Sequence, residues 1–210
     1  MTKIAIIGAS RGCGLEALKD ALARGWSVTA VARNPEQSGV KDARLAWYKG
    51  DARNELLLEQ AMKGCDAVAV TLAAPIGRER VTLFSDAVTT ILTVMNRQGV
   101  KRLVFLSGIG AGDSRGSGGF IYEKIMYPIV LARNYEDKNR AEALIMKSHK
   151  DWTILRPGLL NNRKRKGHVQ VLAKPSEYRN GSISRADVGQ YICECIRNGI
   201  NIHEAPVLIS

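Results

Sequence analysis

The stretch GASRGCG, residues 8–14, lies between the apolar run KIAII (3–7) and the segment LEALKDALARG (15–25). Apolar residues recur in that last segment at helical spacing, so the seven residues sit where a strand ends and a helix begins. Glycines in such a turn have a mechanical use. One permits the tight turn, another lets a pyrophosphate approach the backbone, and a third lets the helix pack closely on the strand. The N–H groups at the start of the helix then hold the anion. Glycines also serve plain turns, and here the flanking strand and amphipathic helix decide for the anion-binding reading. Gly8, Ser10, Arg11, Gly12, Cys13 and Gly14 are therefore expected to touch a dinucleotide.

Working outward, strand-like runs recur at 3–7, 27–32, 45–49, 66–71, 102–106, 152–156 and 206–209. Most are solidly apolar rather than alternating, as strands covered on both faces of a parallel sheet read. Helical patterns fall between them. Phe84, Val88, Ile91 and Met95 share one helical face, and so do Val188, Ile192, Cys195 and Ile196. The second of these follows Ser184, with Asp187 three residues on, a start resembling a capping box. Gly25 and Gly99 stand where two helices must stop before a strand. The alternation predicts an α/β fold, a Rossmann-type doubly wound parallel sheet with right-handed crossovers, built as a single domain over 1–210. The segment 112–127, GDSRGSGGFIYEKIMY, breaks the pattern and reads as a loop.

Composition narrows the class. At 210 residues and 45% hydrophobic, the chain can bury one sizeable core. Its apolar stretches are interrupted well short of the roughly 18 residues of a membrane span. MTKIAII runs straight into the glycine turn with no leader-like pattern, so a cytoplasmic protein without a membrane span is expected. Cys13, Cys65, Cys193 and Cys195 form no C-x-x-C pair and read as reduced packing thiols; no metal site is expected. The formal charge of +11 invites a nucleic-acid partner. The only dense basic run, Arg163-Lys164-Arg165-Lys166, has no interleaved aromatics, so it reads as a solvated loop and nucleic acid is not expected as a partner. The surplus charge suits anionic small molecules.

The end of the second strand discriminates between cofactors. An NAD site places Asp or Glu there for the ribose hydroxyls. This chain reads VARNP (31–35) and places Arg33, which attracts a 2′-phosphate that a carboxylate would repel. Arg11 can close on the same phosphate from the other side; the alternative for both is an ordinary solvent arginine at a loop end. Asp51, with Ala52 in KGDARN (49–54), ends the third strand, where it either accepts from an adenine amino group or caps the next helix.

Taken in order, GASRGCG, VARNP, KGDARN, CDAVAVTLAA (65–74), RLVFLSGIG (102–110), DKNRAEAL (137–144), DWTILRPG (151–158) and ISRADVGQYI (183–192) resemble the atypical short-chain dehydrogenase/reductases. The likeness is to their NAD(P)H-binding, NmrA-like group, which includes flavin reductase/biliverdin-IXβ reductase. It spans nearly the whole chain, with one departure: the glycine spacing is G-x-x-x-G-x-G, like that of tyrosine-dependent dehydrogenases. The resemblance implies NADP(H) as cofactor, Thr71, Leu72 and Ala73 on its adenosine side, Ser107 and Gly108 beside the nicotinamide, Lys138 at the nicotinamide ribose, and Pro157, Gly158 and Leu159 near the carboxamide. It places the substrate site in the C-terminal part, about 107–180.

Tyrosine-dependent dehydrogenases protonate their substrate with a Tyr four residues before a Lys, one helical turn away. Four before Lys138 stands Asn134; Tyr135 is three before, and is read here as a helix-surface residue or a displaced site residue. Lys138 and Glu142 also have the spacing of a helical ion pair, an alternative to the ribose role. Hydride transfer to a flavin or tetrapyrrole needs proximity and alignment above all, so the missing tyrosine does not forbid reduction. The candidate catalytic residues are Ser107, Lys138 and Tyr122, the last in an aromatic loop with Phe120, Met126 and Tyr127 that suits a stacked planar acceptor or packs as a lid. The expected function is NADPH-dependent reduction of a planar acceptor, a flavin, biliverdin-like tetrapyrrole or quinone; the alternative is a catalytically silent NADP(H)-sensing protein that binds a partner.

Overall fold

A computed structural model describes residues 1–74, 81–114, 132–178 and 180–210. The chain begins with β1 (Lys3–Ile7), the glycine turn and α1 (Gly12–Ala23), then β2 (Ser27–Ala32), β3 (Leu45–Lys49) and α2 (Glu55–Met62). It continues through β4 (Ala67–Val70), α3 (Leu83–Arg97), β5 (Arg102–Leu106), α4 (Ala132–Met146) and β6 (Asp151–Pro157). The C-terminal part adds β7 (Leu159–Asn161), β8 (Gln170–Leu172), β9 (Ser182–Ser184), α5 (Arg185–Asn198) and β10 (Val207–Ile209).

One eight-stranded sheet has the order β3-β2-β1-β4-β5-β6-β10-β8. Its strands are parallel except for β8, which pairs antiparallel with β10. The chain winds from β1 outward to β3, then returns to lay β4 on the other side of β1, making a topological switch point beside the glycine turn. Ile4 and Ile6 face one layer, with α1 and α5; Ala5 and Ile7 face the other, with α2, α3 and α4. This two-sided burial is the reason the strands read as unbroken apolar runs. A small separate pair, β7 with β9, joins the segment after β6 to the start of α5.

The helix-ending glycines behave as expected: Gly25 (φ 79) and Gly99 (φ 70) adopt the left-handed conformation after α1 and α3. At α5, Ser184 Oγ accepts from the Asp187 N–H at 3.0 Å. The carboxylate of Asp187 does more than the spacing implied: it accepts from Ser184 Oγ at 2.7 Å and from the backbone N–H groups of Lys166 and Gly167 at 3.0 and 2.9 Å, pinning the basic segment to α5. Arg163 to Lys166 are exposed, and Arg165 reaches Asp20 on α1 at 3.0 Å.

Two charged arrangements tie α4 into the fold. Asp137 is fully buried and accepts from the backbone N–H of Phe84 at 2.7 Å and from Ser85 Oγ at 2.5 Å, so a carboxylate from α4 caps the start of α3. Arg156, 1% exposed on β6, pairs with Glu142 at 2.7 Å and with Asp113. The Lys138–Glu142 pairing allowed by helical spacing does not form, because the buried guanidinium of β6 takes Glu142 instead. No helix of the described residues is long and apolar enough to cross a membrane.

Candidate functional site

A cavity of about 620 Å³ opens along the carboxyl ends of β1, β2, β4 and β5, where such sheets bind ligands. It runs from Arg33, Asn34 and Gln37 at one end, past the glycine turn, to Ser107, Tyr135 and Lys138 at the other.

The floor is the glycine turn. Gly8 has φ 98, and a Cβ there would lie 2.8 Å from the Thr71 carbonyl oxygen, so β1 and the end of β4 approach as only glycine allows. Gly14 is the packing glycine: a side chain would overlap the Gly8 carbonyl oxygen and Thr71 Oγ1. It does not line the cavity, whereas Gly8, Ser10, Arg11, Gly12 and Cys13 do. Gly12, the first residue of α1, has φ 62, and a Cβ there would meet nothing nearer than the Arg185 side chain at 4.0 Å. The backbone is thus bare toward the cavity. Arg11, at the N-cap, makes no side-chain cap, and the first turn of α1 carries no acid. These are the conditions under which the first N–H groups of a helix hold an external anion.

At the end nearest β2 and β3, Arg33 follows β2 and Asp51 follows β3, and both line the cavity with Ala52. Asp51 chelates Arg53 at 2.8 and 2.9 Å, and this pairing holds its carboxyl down at about 2. The cap of α2 is Asn54, whose side chain accepts from Leu57 N–H, and not Asp51. Thr71, Leu72, Ala73 and Ala74 form the wall at the end of β4. Cys13, in the cavity lining, is largely buried, and burial raises its thiol to about 12, so it stays protonated.

At the far end, Lys138 Nζ donates to the Ser107 carbonyl oxygen at 2.9 Å and lies 5.0 Å from the Tyr135 ring centroid and 5.5 Å from that of Phe84. Burial lowers its ammonium to about 8. Tyr135 is buried in the cavity wall, not on the helix surface: a Cβ on Gly108 would lie 2.9 Å from its Oη and 3.4 Å from Lys138 Nζ. Asn134 lines the same wall. Ser107 Oγ is buried and has no hydrogen-bond partner among the described residues. Such a hydroxyl costs on the order of 1–3 kcal/mol unless a ligand satisfies it.

The bare backbone at Gly12 and the orphan hydroxyl of Ser107 are what a dinucleotide spanning the cavity would use. Pro157, Gly158 and Leu159, expected near the carboxamide, are not part of the cavity lining; Leu159 is 69% exposed on β7. Tyr122, with Phe120, Met126 and Tyr127, lies outside the described residues. Sequence reading passed over Leu160, Asn162 and Arg185, which close the cavity from the C-terminal part. Their only sequence signal was the position of Arg185 at a helix start.

Comparison with known proteins places the fold. The family model for NAD(P)H-binding proteins matches residues 8–199. The chain belongs to the NAD(P)H-binding family. Among its relatives, UPF0659 protein YMR090W of Saccharomyces cerevisiae is 30% identical over 208 residues, covering 92% of this chain and 86% of that one. Of solved structures, the anaerobillin reductase ChuY of Escherichia coli O157:H7 superposes with a TM-score of 0.82 at 23% identity, over 99% of this chain and 97% of the other. A short-chain dehydrogenase/reductase of Veillonella parvula in complex with NADP superposes with a TM-score of 0.84 at 17% identity, over 100% and 94% of the two chains. These structures share the family's Rossmann fold. In this NAD(P)H-binding chain the long cavity at the switch point is the candidate cofactor site.

Proposed function

We propose that the protein is an NADPH-dependent reductase that delivers a hydride to a planar acceptor of the flavin, biliverdin-like tetrapyrrole or quinone class. The observation that carries this reading is one continuous cavity joining Arg11, Arg33 and the bare glycine turn to Ser107 and Lys138. The reductase ChuY and the NADP complex of the Veillonella enzyme are consistent with it.

In this reading Arg33, with Arg11, meets the 2′-phosphate, and Asp51 accepts from the adenine amino group. The N–H groups of the first turn of α1 hold the diphosphate, and Thr71 to Ala73 flank the adenosine. Lys138 donates to the nicotinamide ribose. Its ammonium, lowered to about 8, is still mostly charged at neutral pH. The bound nicotinamide supplies the hydride. Ser107 Oγ, which lacks a described partner, donates to a carbonyl of cofactor or acceptor and fixes its orientation. Asn134 stands where a proton-donating tyrosine would, so the proton comes from solvent. The four described cysteines are free and buried, in keeping with a reducing compartment, and we place the protein in the cytoplasm.

A second reading is a silent NADP(H)-sensing protein, favoured by Asn134 in the cavity wall. One experiment separates the two: the pure protein is mixed with NADPH and a panel of flavins, tetrapyrroles and quinones while the nicotinamide absorbance is followed. Turnover with a planar acceptor supports the reductase. Tight NADPH binding with no turnover supports the sensor, and no binding at all refutes both.

A further inference from the structure

We propose that Arg185, the first residue of α5, is a diphosphate-holding residue of the cofactor site, facing the glycine turn from the opposite wall. The inference rests on the dinucleotide reading of the cavity and adds to it a ligand from the C-terminal part of the chain.

The placement is specific. Arg185 lines the cavity, and its Cδ and Nε lie 4.0 Å from the point where a Cβ on Gly12 would stand. The side chain therefore passes over the stretch of bare backbone that a diphosphate would approach. Two helices set this geometry. A Cβ on Gly189 would lie 2.6 Å from the Ala17 backbone nitrogen, so α5 packs backbone to backbone on α1. Further along, Cys193 Sγ donates to the Ala17 carbonyl at 3.4 Å and Arg24 approaches Glu194 at 3.8 Å. Early residues meet early and late meet late, so the helices run in the same direction and both N-termini point to the same end of the cavity.

The charge of Arg185 is held ready. Its Nη1 donates to Asn162 Oδ1 at 2.7 Å, a neutral acceptor that orients the guanidinium without neutralising it. Among the described residues no carboxylate forms an ion pair with Arg185; the nearby Asp187 is occupied by Ser184, Lys166 and Gly167. A planar guanidinium with one edge anchored can present its other donors to two phosphoryl oxygens. Arg33 stands at one end of the cavity, after β2, and Arg185 over the glycine turn between the two ends, so the two arginines divide the work. Arg33 recognises the phosphate that distinguishes NADP from NAD, whereas Arg185 recognises the diphosphate common to both.

That division makes the test. Affinities of the full chain and of Arg185→Gln are measured by calorimetry with NADP⁺, NAD⁺ and 2′-AMP, which carries the 2′-phosphate but no diphosphate. Arg185→Gln is expected to weaken NADP⁺ and NAD⁺ by the same factor, on the order of tenfold to a hundredfold, and to leave 2′-AMP unchanged. Arg185→Lys should recover part of the loss as a point charge. Melting curves of both variants, unchanged from the parent, confirm folding. An NADP⁺ affinity in Arg185→Gln within twofold of the parent overturns the proposal and leaves the cofactor reading standing. So does a loss confined to the KM of the acceptor, which would assign Arg185 to an acidic substituent of the acceptor. A parent that binds neither NADP⁺ nor 2′-AMP overturns the cofactor reading, and this proposal with it.

Discussion

Replacing Arg33 with alanine tests the cofactor preference directly. Arg33 is exposed at the end of β2 and lines the cavity, and its positive charge helps hold the Asp51 carboxyl low. A hydrogen bond to a charged group is worth about 1.5–3 kcal/mol. Exposure to solvent screens the interaction, which puts the expected loss at the lower end, about 1.5 kcal/mol, or roughly tenfold in NADPH affinity. NADH has no 2′-phosphate, so its affinity should barely change and the ratio of the two affinities should fall by the same tenfold. Because the pair is solvent-screened, the difference should also shrink as salt is raised. Titration of protein fluorescence or calorimetry with both cofactors, at low and high salt, measures all of these. Equal affinity of the unmodified protein for NADPH and NADH, or an Arg33→Ala variant that loses both equally, would refute the reasoning. Arg11 faces the same phosphate in this scheme, so the double variant should lose less than the sum of the single losses.

Lys138, lowered to about 8 by burial, is charged below that pH and neutral above it. An anionic cofactor favours the charged form, so NADPH binding should take up a proton above pH 8, and affinity should fall as pH rises through 8. Lys138→Met should flatten this profile, and a parent whose affinity is pH-independent across that range would contradict the placement. If, as proposed, the proton is drawn from solvent, Tyr135→Phe should keep most of kcat. General acids contribute about 10²–10⁴-fold, so a thousandfold drop with NADPH affinity intact would identify Tyr135 as the acid. Glu142→Ala strips the buried Arg156 of its buried carboxylate, leaving the exposed Asp113 as its only ion-pair partner among the described residues. Urea unfolding should show a loss on the order of 3 kcal/mol, and a change under 1 kcal/mol would mean that the pair is not a stability element.

The strand–turn–helix opening was legible because its signals are local. KIAII is apolar on both faces, the glycines mark the turn, and Gly25 marks the end of α1. The same holds for the solid strands through β6 and for the faces of α3 and α5, since periodicity records which side of an element is buried. The short strands β7, β8 and β9 were not legible. Each is three residues long, and each exists only by pairing with a strand distant in the chain: β7 with β9, and β8 with β10.

Partner choice was equally hidden. The spacing of Lys138 and Glu142 allows an ion pair, but β6 brings Arg156 to Glu142, and Lys138 turns to the Ser107 carbonyl. Tyr135 looks like a surface residue in the helix pattern and becomes a cavity wall because Gly108 leaves room beside it. Asp51 and Asn54 both have the chemistry of a helix cap, and only the backbone path selects Asn54. The sequence by itself determined the layers of the sheet, the glycine turn between β1 and α1 and the arginine after β2, all of which are written in neighbouring residues. Only the tertiary structure decided that Arg185, more than 170 residues from Gly12, faces the same turn, because close packing of α5 on α1 through Gly189 is a contact between segments that no local pattern encodes.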